Sequence, residues 1–79
     1  MTPELEKYYN ERFTTMSSQG WLDLVEDVKD MIATYNNVTT INSVDEFYKR
    51  QGQLDILNWI LNLRELSEKT YEELNESFV

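Results

Sequence analysis

From Val44 to Ser77 the chain contains no proline and one glycine, Gly52. A single mid-helix glycine costs roughly 1 kcal/mol against alanine without ending a helix. The run therefore predicts one long helix over about 44–77, roughly 50 Å at about 1.5 Å rise per residue. Its start is marked by Ser43-Val44-Asp45-Glu46. This is a capping box, in which the Ser hydroxyl accepts from the third amide of the helix and the Glu reaches back to the Ser amide. A helix of that length needs a partner of matching length, and residues 1–43, read as two helices laid end to end, match it.

Those residues carry two helical patterns. Thr2 can cap a first helix, Pro3 suits its first position because its missing N–H would be unpaired there, and Glu4 and Glu6 favour the positive helix start. Leu5, Tyr8, Tyr9, Phe13 and Met16 then recur at three- and four-residue steps. Thr14–Gly20 is a stretch of poor helix formers whose hydroxyls can bond the backbone, with Ser17 or Ser18 able to cap a new start. Beyond it Trp21, Leu24, Val25, Val28, Met31, Ile32 and Tyr35 form the clearest stripe of the first half. Asn36-Asn37 can take the left-handed conformation that ends a helix, and Val38–Ile41 is β-branched throughout. The expected fold is all-α: one domain over 1–79, an antiparallel hairpin turning near Tyr35–Ser43. Its first arm breaks into helices at about 3–16 and 18–36, packed on the single helix at about 44–77.

Composition narrows the chemistry. With 79 residues and no Cys or His, there is no disulfide and no ordinary zinc site to staple a core that is marginal at this size. Weight falls on helix packing and on association with another copy. Seven basic residues face fifteen acidic ones, for a net charge of −8, divided as three against seven in residues 1–40 and four against eight in 41–79. Direct binding to nucleic acid or to an anionic membrane rests on clustered Lys and Arg, so neither is expected. A basic protein surface is the more natural charged partner. Met1–Glu4 lacks the basic and then apolar profile of a signal peptide, and no apolar run approaches the ~18 residues of a membrane span, so the chain is expected to be soluble.

No glycine-rich phosphate loop, nucleophile elbow or Walker lysine occurs. An enzyme is not expected, nor is a cofactor. Helical di-iron sites use Glu-x-x-His pairs, and a chain without His cannot form them.

Two features could carry function. Over Leu54–Leu66 the apolar residues cover more than one side of the helix, which one antiparallel arm cannot bury. Either the first helix folds back to complete a three-helix core, or an apolar patch stays open for self-association or a partner. Ile56, Trp59, Ile60, Leu63 and Leu66 are the candidate interface residues, and Trp59 is the aromatic anchor. Trp21 is expected in the core. The second feature is an acidic face, Asp23, Glu26, Asp27 and Asp30, with a further row at Glu65, Glu68, Glu72 and Glu76. Such rows can imitate a phosphate backbone. They are also what a solvated helix face looks like, partly balanced here by Glu46–Arg50, Glu65–Lys69 and Arg64–Glu68 at i,i+4.

The runs Tyr8–Phe13, Gln19–Val28 and Gln51–Trp59 resemble those of short acidic helical proteins of tailed, podovirus-like bacteriophages. The resemblance implies a viral protein near the capsid and tail genes, in the virion or the host cytoplasm. A close helix crossing is a physical reason for either Gly20 or Gly52 in that pattern. The leading expectation is a non-enzymatic virion or assembly component that self-associates or binds another phage protein. The alternative is an acidic inhibitor that mimics nucleic acid and blocks a basic host enzyme or defence complex.

Overall fold

The structure, a computed structural model, describes residues 1–76. The chain forms α1 (Pro3–Met16), α2 (Gln19–Tyr35), a short 3₁₀ turn (Val38–Thr40), α3 (Val44–Leu61) and α4 (Leu63–Glu76). They build an elongated helical hairpin, 52 × 28 × 15 Å. In it α2 packs along α3 and α1 along α4. The expected all-α hairpin with a broken first arm is the fold observed. Ser77, where the long helix was expected to end, lies outside the described residues.

Three helix starts follow from local side-chain chemistry. Thr2 Oγ1 accepts from the Leu5 amide at 3.2 Å, Ser18 Oγ from Trp21 at 3.2 Å, and Ser43 Oγ from Glu46 at 3.1 Å. Each satisfies a backbone donor that the helix itself leaves free, worth typically about 1 kcal/mol. The capping box at Ser43 departs from expectation in its return bond, because the Glu46 carboxylate takes the amide of Asn42, at 2.7 Å, one residue earlier. Asn36 does not turn left-handed either: its φ is −84°, and among the described residues no non-glycine residue has positive φ. Instead Asn37 Oδ1 accepts from the Thr39 amide at 3.1 Å and from the Thr39 hydroxyl at 2.6 Å, folding the β-branched segment into the 3₁₀ turn.

The second arm is not one helix. Asn62, at φ −96° and ψ 3°, separates α3 from α4. The helical bonds continue around it, with Asn62 N–H donating to Asn58 at 3.0 Å and Leu66 N–H donating to Asn62 at 2.9 Å. The break is therefore a local departure from helical geometry through which backbone bonds continue.

Arg50 fastens the loop. Its guanidinium donates to the Tyr35 carbonyl and to Thr40 Oγ1, both at 2.9 Å, and lies over the Tyr35 ring at 5.5 Å. It is thereby turned away from Glu46, the expected i,i+4 partner. At the far end an aromatic cluster joins α1 to α4: Tyr9 and Phe13 meet Tyr71 edge-on at 5.8 and 5.6 Å. Arg12 completes the contact, donating to Tyr8 Oη and, at 3.4 Å, to the buried Ser67 hydroxyl.

Met16, 1% exposed, is the most deeply buried side chain described. Met16→Ala should cost about 2–5 kcal/mol, as expected for emptying a buried site. Arg50→Ala, which leaves the last carbonyl of α2 without its charged donor, should cost about 1.5–3 kcal/mol. Urea titrations followed by far-ultraviolet circular dichroism measure both, and midpoints unchanged from the parent chain would contradict these assignments.

Candidate functional site

Among the described residues only four apolar side chains are buried: Tyr9, Met16, Val28 and Leu57. Eleven large apolar side chains are exposed. The inner seam explains which are covered. On α2 the inward stripe is Trp21, Val25, Val28, Ile32 and Tyr35, and on α3 it is Arg50, Leu54, Leu57 and Leu61, all buried or half-buried. Trp21, expected in the core, is half-buried at its end.

A helix turns by about 100° per residue, so positions on α3 can be placed around its axis from Leu57. Ile56, Gly52, Trp59 and Tyr48 fall between about 100° and 180° from the buried side, on a second face, whereas Leu63 begins α4 and shares a groove with Tyr8, Arg12, Met16 and Trp21. Ile56 is 62% exposed, Trp59 53% and Leu66 44%, whereas Ile60 and Leu63 are half-buried at the edge of the seam. Of the predicted set, Ile56 and Trp59 share this open face, Ile60 lies at the edge of the seam, and Leu63 and Leu66 stand on α4 beyond the break. The first helix leaves Ile56 and Trp59 open, since α1 is engaged with α4 through Tyr9, Phe13 and Tyr71 and reaches only Leu63 of the set.

Two further exposed residues belong to the apolar stripe read from the sequence for α2. Leu24 and Met31 are 47% and 42% exposed. They sit about 40–60° from Val28 on α2. In an antiparallel pair, the flanks reached by turning backwards from Val28 and from Leu57 lie on the same side of the hairpin. Leu24 and Met31 therefore lie on the same side of the hairpin as Ile60 and Ile56. Their signal was present in the doubled apolar pairs Leu24-Val25 and Met31-Ile32, which make the stripe wider than one neighbour can cover.

Neither glycine serves a crossing within the chain. A Cβ added to Gly20 or Gly52 would meet nothing within 4 Å. Gly52 instead leaves a gap in the exposed face, between Tyr48 and Ile56.

The acidic face is solvated. Asp23, Glu26, Asp27 and Asp30 are all exposed on the outer side of α2, where Asp23 accepts from Gln19 Nε2 at 2.8 Å and Glu26 pairs with Lys29 at 3.1 Å. In the second row, Glu65, Glu68, Glu72 and Glu76 are exposed and Arg64–Glu68 forms at 3.3 Å. Glu65–Lys69 is not among the ion pairs of the described residues; the third pair is Lys7–Glu11 at 3.7 Å. Among the described residues no acidic cluster is arranged to hold a metal ion, and no helix is long and apolar enough to cross a membrane.

Set against known proteins, the chain matches no family model, no curated protein and no solved structure.

Because Asp27 has Asp23 and Asp30 as i−4 and i+3 neighbours on an exposed face, Asp27→Gln should raise stability by about 0.2–0.5 kcal/mol per like-charge pair relieved. The gain should shrink in high salt. Thermal unfolding at low and high ionic strength checks both, and a loss of stability would mean that the carboxylate has a structural partner.

Proposed function

We propose that this chain is a non-enzymatic helical protein that acts by protein–protein contact and self-associates through the face of Ile56, Trp59, Ile60, Leu63 and Leu66. The observation that carries this reading is the imbalance between four buried apolar side chains and an apolar face left open along the second arm. Large exposed apolar patches are uncommon on chains that remain single, and a buried tryptophan is a strong interface anchor. The non-enzymatic reading draws on the absence of His and Cys and on grooves that are open to solvent. Its place as a small bacteriophage virion or assembly component draws on the resemblance of Tyr8–Phe13, Gln19–Val28 and Gln51–Trp59 to acidic helical phage proteins. Another phage protein is the natural second partner.

The alternative, an acidic inhibitor seated in a basic nucleic-acid groove of a host protein, draws on the exposure of Asp23, Glu26, Asp27 and Asp30. Two of these four are engaged by Gln19 and Lys29. The row is accordingly the weaker of the two features.

Sedimentation separates the two. Self-association predicts an oligomer at tens of micromolar that dissociates in Trp59→Ala. Each copy carries −8, so raising salt from about 0.05 to 0.5 M should tighten association by screening like charges. A chain that stays monomeric throughout would overturn this reading. A basic partner captured at low salt and lost on neutralising the four carboxylates would establish the alternative.

A further inference from the structure

We propose that the tip of the hairpin binds a carboxylate borne on a single apolar side chain, as at the end of a polypeptide whose last residue is apolar, with Arg50 as its bidentate donor. None of the residues involved belongs to the predicted interface set, and the proposal does not rest on self-association.

A guanidinium carries five N–H donors in a planar fork. In Arg50 the two on Nη1 go to the Tyr35 carbonyl and to Thr40 Oγ1, both at 2.9 Å. The Nε–H and the two N–H groups of Nη2 have no partner among the described residues, and no ion pair there includes Arg50. Among the same residues no side-chain nitrogen closed to solvent lacks a partner, so these three donors are open to solvent. The Nε–H and one N–H of Nη2 are parallel, and this edge of the fork is the one a carboxylate takes with two bonds. Tyr35 and Thr40 already hold the guanidinium in place, one by its carbonyl and ring and the other by its hydroxyl, so little side-chain freedom remains to be lost on binding.

The surroundings of Arg50 define the rest of the ligand. It borders a cup of about 240 Å³ walled by Tyr35, Val38, Ile41, Phe47 and Leu54, of which Val38 and Phe47 are exposed. This is smaller than the roughly 300–1,000 Å³ of pockets for drug-sized ligands, and it suits one apolar side chain. In the last residue of a polypeptide the carboxylate and the side chain leave the same Cα, so one can meet Arg50 while the other enters the cup. Asn36 and Gln51 also line the cup, and the side-chain carbonyl of either can accept the last peptide N–H. A fatty acid has no such donor. The other charged groups nearby are Lys49, Glu46 and Asp55. Lys49 and Glu46 border a second, polar hollow that Arg50 also lines, and there the Glu46 carboxylate accepts from the Asn42 amide at 2.7 Å. Asp55 lines the cup itself and is the group that opposes a bound carboxylate.

N-acetyl-leucine is the probe. Titrated to millimolar concentration into isotope-labelled protein and followed by NMR, it should shift the Arg50 Nε–H resonance together with the amides of Val38 and Phe47, and saturate. N-acetyl-leucinamide lacks the charge and N-acetylglycine lacks the side chain, so each should bind about tenfold more weakly or not at all. Arg50→Lys keeps the charge without the fork and should weaken binding about tenfold, with circular dichroism confirming that the helices are retained. Phe47 and Asp55 are exposed and lie outside the seam. Phe47→Ala should therefore weaken binding and Asp55→Asn should strengthen it severalfold, both in a folded chain. Equal binding of the acid and its amide, or shifts that leave out the Arg50 Nε–H, would overturn the proposal. Octanoate binding more tightly than N-acetyl-leucine would overturn the polypeptide end as the occupant. Each of these readouts is independent of oligomeric state, so their failure leaves the self-association reading to sedimentation alone.

Discussion

The α2–α3 seam is the interaction on which the rest of this molecule depends. It joins segments far apart in sequence along more than two turns of helix, and the stripe Trp21–Val25–Val28–Ile32–Tyr35 against Leu54–Leu57–Leu61 fixes which residues are left to face outwards. Helices of this length gain most of their stability from such packing and little from propensity. Once the seam is set, the loop must close in the few residues after Tyr35. Arg50 does this by bonding the end of α2 and the 3₁₀ turn together. The other end is held by a different chemistry, the edge-on rings of Tyr9, Phe13 and Tyr71, with Met16 filling the space between the two halves.

That division explains the poverty of the core. Two helices side by side bury one stripe each, and a third element would be needed to cover a second. The first arm could have supplied it, but its α1 segment is used to extend the hairpin lengthwise instead. The result is a rod 52 Å long and 15 Å across its thinnest dimension, in which few side chains are remote from solvent.

Features governed by neighbours in sequence were legible in it. The caps at Thr2, Ser18 and Ser43 act over three residues, and the break after Met16 follows from clustered hydroxyl residues. The excess of apolar residues over Leu54–Leu66 was legible too, because counting them around one helix needs no knowledge of the fold. What could not be read depends on distant contacts. Arg50 has Glu46 one turn away, yet the carbonyl of Tyr35 and the hydroxyl of Thr40 hold it. Asn62 is of a type that can end a helix, as Asn36 is, but no glycine or proline accompanies it, and the break falls where α4 meets α1 through Ser67 and Tyr71. Leu24 and Met31 sat within a sound helical stripe, and only the width of the facing helix decided that they would lie outside the seam.

The two breaks lie at one level. Met16, next to the turn between α1 and α2, and Leu63, next to Asn62, line the same groove with Trp21. No unbroken helix crosses that plane, so the rod is two short beams placed end to end. Its resistance to bending there comes from packed side chains, chiefly Met16, together with the backbone bonds that carry through Asn62. The line from Trp59 to Leu66 crosses the same plane, which makes the straightness of the apolar face a property of that joint. Anything that grips both residues at once acts as a splint across it.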